Sequence, residues 1–278
     1  MRRAPLWVGG VLVGLVLLTA LVSFVWTPYD AAAIVAPKLA DPSLAHPLGT
    51  DHLGRDIVSR LMVGARATVV VGVVAVALAA GGGVPLGVLA GMLDGRFGAA
   101  RWATWAGEGL MRGVDVLYAF PALLLAILLA AAVGASTTTA MVAIGVATIP
   151  AFARIARAAT LTVMTQDFVL AARASGTSQA GTAVRHVLPN IAPVLGVQAS
   201  VSFGIAILAE AGLSYLGLAT PPPTPTWGRM LREGQNVLFG APEQALWPGL
   251  AIGFAVLGLN LLGDGLRDLL DPRLREVA

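Results

Sequence analysis

Between Asp115 and Arg154 the chain runs for 38 residues, Val116 to Ala153, without an Asp, Glu, Lys or Arg. A single helix needs only about 20 apolar residues to cross the roughly 30 Å hydrocarbon core of a bilayer. The run is therefore too long for one span, and Gly134-Ala135-Ser136-Thr137 near its middle supplies a turn. Two spans joined as a tight hairpin are predicted.

Four further runs have the same character. Leu6 to Trp26 is uncharged over 21 residues and ends at Trp26-Thr27-Pro28 without a small-x-small cleavage site. It exceeds the 7–15-residue apolar region of a signal peptide and is expected to be a retained anchor. Ala67 to Leu93 is the second span; Gly81-Gly82-Gly83 and Pro85 inside it mark a place where the helix can kink, tolerated where neighbouring helices satisfy the loosened backbone. Ile191 to Ala209, extending past Glu210 towards Leu218, and Ala245 to Gly263 complete six. The fold class is thus all-α and polytopic, one transmembrane domain over residues 1–278. It comprises a first span with outer segment (1–66), core helices (67–263) and a tail (264–278).

Only 12% of the residues are charged, against about 25% in soluble domains, and 57% are hydrophobic. With the N-terminus in the cytoplasm, Arg2, Arg3, Arg96, Arg101, Arg112, Arg154, Arg157, Arg173, Arg185, Arg267, Arg273 and Arg275 fall inside. Lys38, Arg55, Arg60, Arg66, Arg229 and Arg232 fall outside, and this excess inside predicts that both termini are cytoplasmic. The net charge of +3 is scattered between apolar runs and forms no patch for nucleic acid.

The residues exclude several chemistries. Without cysteine there is no disulfide, thiolate metal site or thiol nucleophile. A phosphate-binding loop needs Gly-Lys-Ser/Thr, and the sole lysine, Lys38, lies between Pro37 and Leu39. His46 and His52 share an outer loop, read as solvent-exposed in preference to a metal contact, and His186 lies across the membrane from them. An ion-coupled secondary transporter carries ionisable groups at membrane depth, and the runs above lack them. A membrane-embedded enzyme, the other alternative, needs a catalytic cluster, and no Gly-x-Ser-x-Gly elbow marks one.

The loop Asp167 to Asn190 reads as helix, break, helix: Gly176 ends one short helix, Thr177 or Ser178 caps a second, and Pro189 ends that one. Its alanines leave a low-relief surface, with Arg173 and Arg185 at hand for polar contacts. Leu170-Ala171-Ala172, Gly176 and Leu188-Pro189 match the spacing of the permease signature of ABC importers, although the family commonly has glutamate where Leu170 stands. The outer stretch His46 to Arg66, with Gly-Thr-Asp-x-x-Gly-Arg-Asp, is similar to the entry segment of dipeptide and oligopeptide permease C subunits. In it Leu53, Ile57, Leu61 and Met62 can share a face, so a helix lying on the membrane and plain packing on the spans are both open. Further resemblance covers Phe120-Pro121, Ala209 to Leu218, Pro225 to Gly228 and Asn260 to Pro272.

The resemblance implies a type I ABC importer permease of the dipeptide/oligopeptide/nickel type in a bacterial inner membrane. It implies a homologous permease partner, two ABC ATPase subunits or domains that bind ATP and Mg, and an extracytoplasmic binding protein. No cofactor is expected in this chain itself. Leu170, Ala171, Ala172, Arg173, Gly176, Arg185, Leu188 and Pro189 are the expected ATPase-coupling residues. Glu210 has two readings: a lining of the translocation path, or an interfacial carboxylate that reaches water.

Overall fold

The computed structural model describes residues 4–95 and 100–270. Arg2, Arg3, Arg96, Asp271, Pro272, Arg273 and Arg275 lie outside the described residues. The described chain is helical: α1 (Ala4–Val22), α2 (Ile57–Met92), α3 (Arg101–Ala119), α4 (Ala122–Val133), α5 (Thr137–Met164), α6 (Asp167–Ala174), α7 (Gln179–Thr182), α8 (Leu188–Leu216), α9 (Trp227–Gln235) and α10 (Glu243–Leu270). A single isolated bridge, Thr50 with Asp56, is the one strand-like pairing among the described residues.

Among the described residues, five helical stretches are long and apolar enough to span a membrane, and the pair α3 and α4 makes a sixth if taken together. The hairpin expectation holds at its turn, where Gly134 takes φ 102° and the Ser136 hydroxyl accepts from the N–H of Thr139 at 3.0 Å. Its third span differs from expectation. α4 has 12 residues, about 18 Å of rise, too short to cross alone. α3 joins it at an 82° bend. Pro121 causes the break: it lacks an N–H and drives Phe120 into extended backbone, φ −81°, ψ 123°.

α2 also differs. It begins at Ile57, ten residues before the expected span, and runs unbroken through Pro85 to Met92. The Asp56 carboxylate caps it by accepting from the N–H of Ser59 at 2.8 Å, so the outer motif leads directly into a crossing helix. The surface-lying helix is thereby corrected: Leu53 sits in the preceding turn, while Ile57 and Met62 are buried.

α2 and α5 form the most extensive helix pair. Gly83, Gly87 and Gly91 follow one another at every fourth residue on α2, and side chains there would meet α5 at 2.6, 2.2 and 2.8 Å respectively. In lipid no hydrophobic drive pulls helices together, so small residues that admit close backbone contact supply the packing. α1 lies on α10, and α8 packs against α2, α5 and α10.

Candidate functional site

The loop between α5 and α8 holds the expected coupling residues. α6 ends as its sequence predicts: Gly176 takes φ +86° and donates to Arg173 O at 3.0 Å, while Thr177 N–H reaches back to Ala172 O at 3.1 Å. This paired closure needs a left-handed residue, which glycine supplies without a Cβ penalty. The Ser178 hydroxyl then caps α7 by accepting from Gly181 N–H at 3.1 Å.

Pro189 does not end the second helix, contrary to expectation. Ala183–Val187 form one π-helical turn that leads straight into α8, with Leu188 N–H donating to Ala183 O and Pro189 in the first turn of α8. The wider turn accommodates the proline, whose missing N–H and ring would otherwise disrupt the i to i−4 ladder. The helical path therefore continues from Gln179 to Leu216.

Two buried valines fix this loop to the spans. Val169 and Val187 are both fully buried, in a cluster with Val88 and Met92 of α2 and Ala156 and Met164 of α5. The outward side is low and apolar: Leu170 is 47% and Val184 63% exposed, and Ala171, Gly176, Arg185 and Pro189 are exposed as well. Ala172, Arg173 and Leu188 are half-buried. The loop thus joins an accessible face to the ends of two spans through a rigid apolar contact.

At the opposite end of the molecule the Gly-Thr-Asp-x-x-Gly-Arg-Asp motif forms a clasp. Arg55 Nε donates to Asp51 Oδ2 at 2.6 Å and Arg55 Nη2 to Glu233 Oε2 at 3.0 Å. Arg60 Nη1 and Nη2 donate to the same two oxygens, each at 2.6 Å. Two guanidiniums and two carboxylates so close a neutral ring that ties the outer segment to α9. Burial pushes the Asp51 carboxyl up, but the backbone N–H groups of Arg55 and Leu53 and the charges of Arg60 and Arg55 outweigh it. They hold it below its usual range. Trp227 adds an indole N–H bond to Leu61 O at 3.0 Å, and Gln244 one to Thr50 O at 2.9 Å.

His46 is buried, contrary to the exposed reading, with Nδ1 3.0 Å from Asp56 Oδ1 and its ring 4.7 Å from that of Tyr29. His52 lies with Asp51 and Glu233 at metal-ligand spacing. Both carboxylates already bind two arginines, however, and those fixed positive charges oppose a cation. Glu210 is 1% exposed between α8 and α2, accepting from the Ser214 hydroxyl at 2.6 Å and the Thr68 hydroxyl at 3.4 Å. Its reading as a carboxylate that reaches water is corrected.

A long apolar helix set carries a helix–break–helix loop at one end and a charged clasp at the other. The model of the binding-protein-dependent transport system inner membrane component family matches residues 83–276. The chain belongs to this family. It is 42% identical over 235 residues to the glutathione transport system permease protein GsiD of Pectobacterium atrosepticum, covering 84% of this chain and 75% of that one. It is 37% identical over 272 residues to the dipeptide transport system permease protein DppC of Alkalihalophilus pseudofirmus, covering 95% and 86%. The chain is a non-catalytic, inner-membrane permease subunit of an ABC importer, and works with an ATPase and a substrate-binding protein.

Sequence reasoning located the permease loop but missed the clasp, because Glu233 stands more than 170 residues from its partners. The available signal was the pair of arginines, Arg55 and Arg60, flanking the entry to an apolar span.

Proposed function

We propose that this permease lines the path for a di- or oligopeptide, or a related small solute such as chelated nickel, and that the α6–α7 loop receives the ATPase. The whole chain acts as one transmembrane domain with both termini cytoplasmic. It pairs with a homologous permease and with two ATPase subunits or domains, which bind the ATP and Mg. The names of the two relatives support the peptide class. The observation that carries the coupling role is the loop itself: Leu170, Ala171, Arg185 and Pro189 accessible on one side, Val169 and Val187 locked to α2 and α5 on the other. Arg173 flanks that surface and Ala172, Gly176 and Leu188 shape it. ATP-driven displacement of the loop shifts the spans between states that bind solute differently. Glu210 belongs to the wall of the path, tying α8 to α2.

Gly176→Val tests this. A Cβ at Gly176 meets nothing within 4 Å, so the substitution acts through φ alone. A β-branched residue at positive φ costs roughly 1–3 kcal/mol and reorients α6 against α7. Co-purified ATPase and uptake should fall together, while docking of the binding protein on the opposite face stays unchanged. Leu170→Glu should leave both intact. Normal uptake with normal ATPase retention in well-expressed Gly176→Val would refute the coupling role.

The orientation has its own test. Reporter fusions after Gly176 and after Ala278 should read cytoplasmic, and one after Thr224 external. An external signal at Gly176 reverses the topology.

A further inference from the structure

The end of the molecule opposite the α6–α7 loop carries a cleft of about 640 Å³ that the transport reading leaves without a role. Its walls are the chain leaving α1 (Ser23, Trp26, Thr27), Val63 and Arg66 of α2, and Pro223 to Pro225. Arg66 is half-buried there, with Nη1 donating to Ser23 O at a long 3.4 Å and its guanidinium 4.9 Å from the centre of the Phe24 ring. Among the described residues no carboxylate pairs with it. Asp30 lines the same cleft, with one oxygen accepting from Ala32 N–H.

Depth identifies what such a site meets. Arg66 touches the carbonyl just past the last turn of α1, so it lies where that span leaves the membrane. Phe24 and Trp26 beside it are 58% and 59% exposed, as aromatic side chains are at the headgroup level. On the same face of α2, at four, seven and eleven residues beyond Arg66, stand Val70, Val73 and Ala77, all exposed. Eleven residues rise about 16 Å, close to the depth of one leaflet of a roughly 30 Å core.

We infer that this cleft seats an aminophospholipid, with the headgroup phosphate on Arg66, the ammonium towards Asp30, and an acyl chain along Val70, Val73 and Ala77. A guanidinium with free donors and no carboxylate partner binds a phosphate by charge-assisted hydrogen bonds. The apolar stripe below it distinguishes a lipid from a free anion, which has no use for it. The site lies in the leaflet away from the α6–α7 loop, whichever way the chain is oriented.

The test uses the whole transporter complex, purified in mild detergent after reconstitution with equal phosphatidylethanolamine and phosphatidylglycerol, with retained lipid measured by native mass spectrometry. Wild-type complex should hold phosphatidylethanolamine in preference, and Arg66→Gln should hold about tenfold less. Arg66→Lys should restore most of it, and Asp30→Asn should remove the preference over phosphatidylglycerol. A benzophenone side chain placed at Val25, an exposed residue that also lines the cleft, in otherwise unaltered complex should crosslink to lipid, which guards against a folding defect in the Arg66 variants. Absence of that crosslink overturns the site. So does displacement of the lipid by a dipeptide, which would make the cleft a solute site, or by inorganic phosphate, which would make it a free-anion site. Equal retention by wild type and a folded Arg66→Gln complex overturns it too.

Discussion

Arg60→Met should lower the stability of the purified permease complex by about 3–5 kcal/mol, the usual cost of removing one partner from a buried ion pair. Arg60 is 1% exposed and bonded to both Asp51 and Glu233 at 2.6 Å. Its loss leaves Asp51 and Glu233 bonded to the single guanidinium of Arg55, so two largely buried carboxylates share one ion-pair partner. Adding Glu233→Gln should recover part of the loss, because Arg55 and Asp51 then form a neutral pair. The measurement is a double-mutant cycle on thermal unfolding of the complex in detergent. A single Arg60→Met variant within about 1 kcal/mol of wild type would show that the clasp contributes no more than an ordinary surface pair.

The second large effect lies between α2 and α5. At Gly87 an added Cβ would sit 2.2 Å from Ala153 O, 2.7 Å from Ala156 Cβ and 2.9 Å from Arg157 N, three atoms fixed by the α5 helix. Alanine is intrinsically better than glycine in a helix by about 1 kcal/mol, but overpacking of this kind costs roughly 1–3 kcal/mol or more. The clash outweighs the propensity, because no flexible side-chain end can move aside. Gly87→Leu should abolish assembly and uptake, and Gly87→Ala should reduce both. Gly81→Ala is the matched control: nothing lies within 4 Å of its Cβ, so it should behave as wild type or slightly better. Equal loss in Gly81→Ala and Gly87→Ala would refute close packing as the cause.

The spans were legible because their signal is local: a charge-free run of about 20 residues has few uses outside a membrane. The loop was legible for a similar reason, since Gly176 and Ser178 announce a stop and a start by chemistry confined to a few residues. Four features escaped. Pro189 reads as a terminator in sequence, but a π turn absorbs it, and that choice depends on Val187 being anchored in the core. Pro121 lay inside a run that composition alone makes continuous, although its bend divides that run into helices of different direction. The clasp depends on Glu233 meeting Arg55 and Arg60 across the fold, which no periodicity encodes. Gly83, Gly87 and Gly91 carried their spacing openly, yet the neighbouring Gly81-Gly82-Gly83 run with Pro85 suggested a kink where the structure has close packing.

The helical path from Gln179 to Leu216 has 38 residues, about 57 Å of rise. With the α6–α7 loop at one end and Ser214 near the other, its geometry is that of a lever of nearly equal arms. Each degree of tilt about its midpoint carries either tip through roughly 0.5 Å. A rocking of a few degrees, small enough to keep side chains in their grooves, therefore displaces the distal tip by more than the length of a carbon–carbon bond. A hinge at Pro189 would absorb such a tilt within the loop; the π turn keeps the helical path continuous instead.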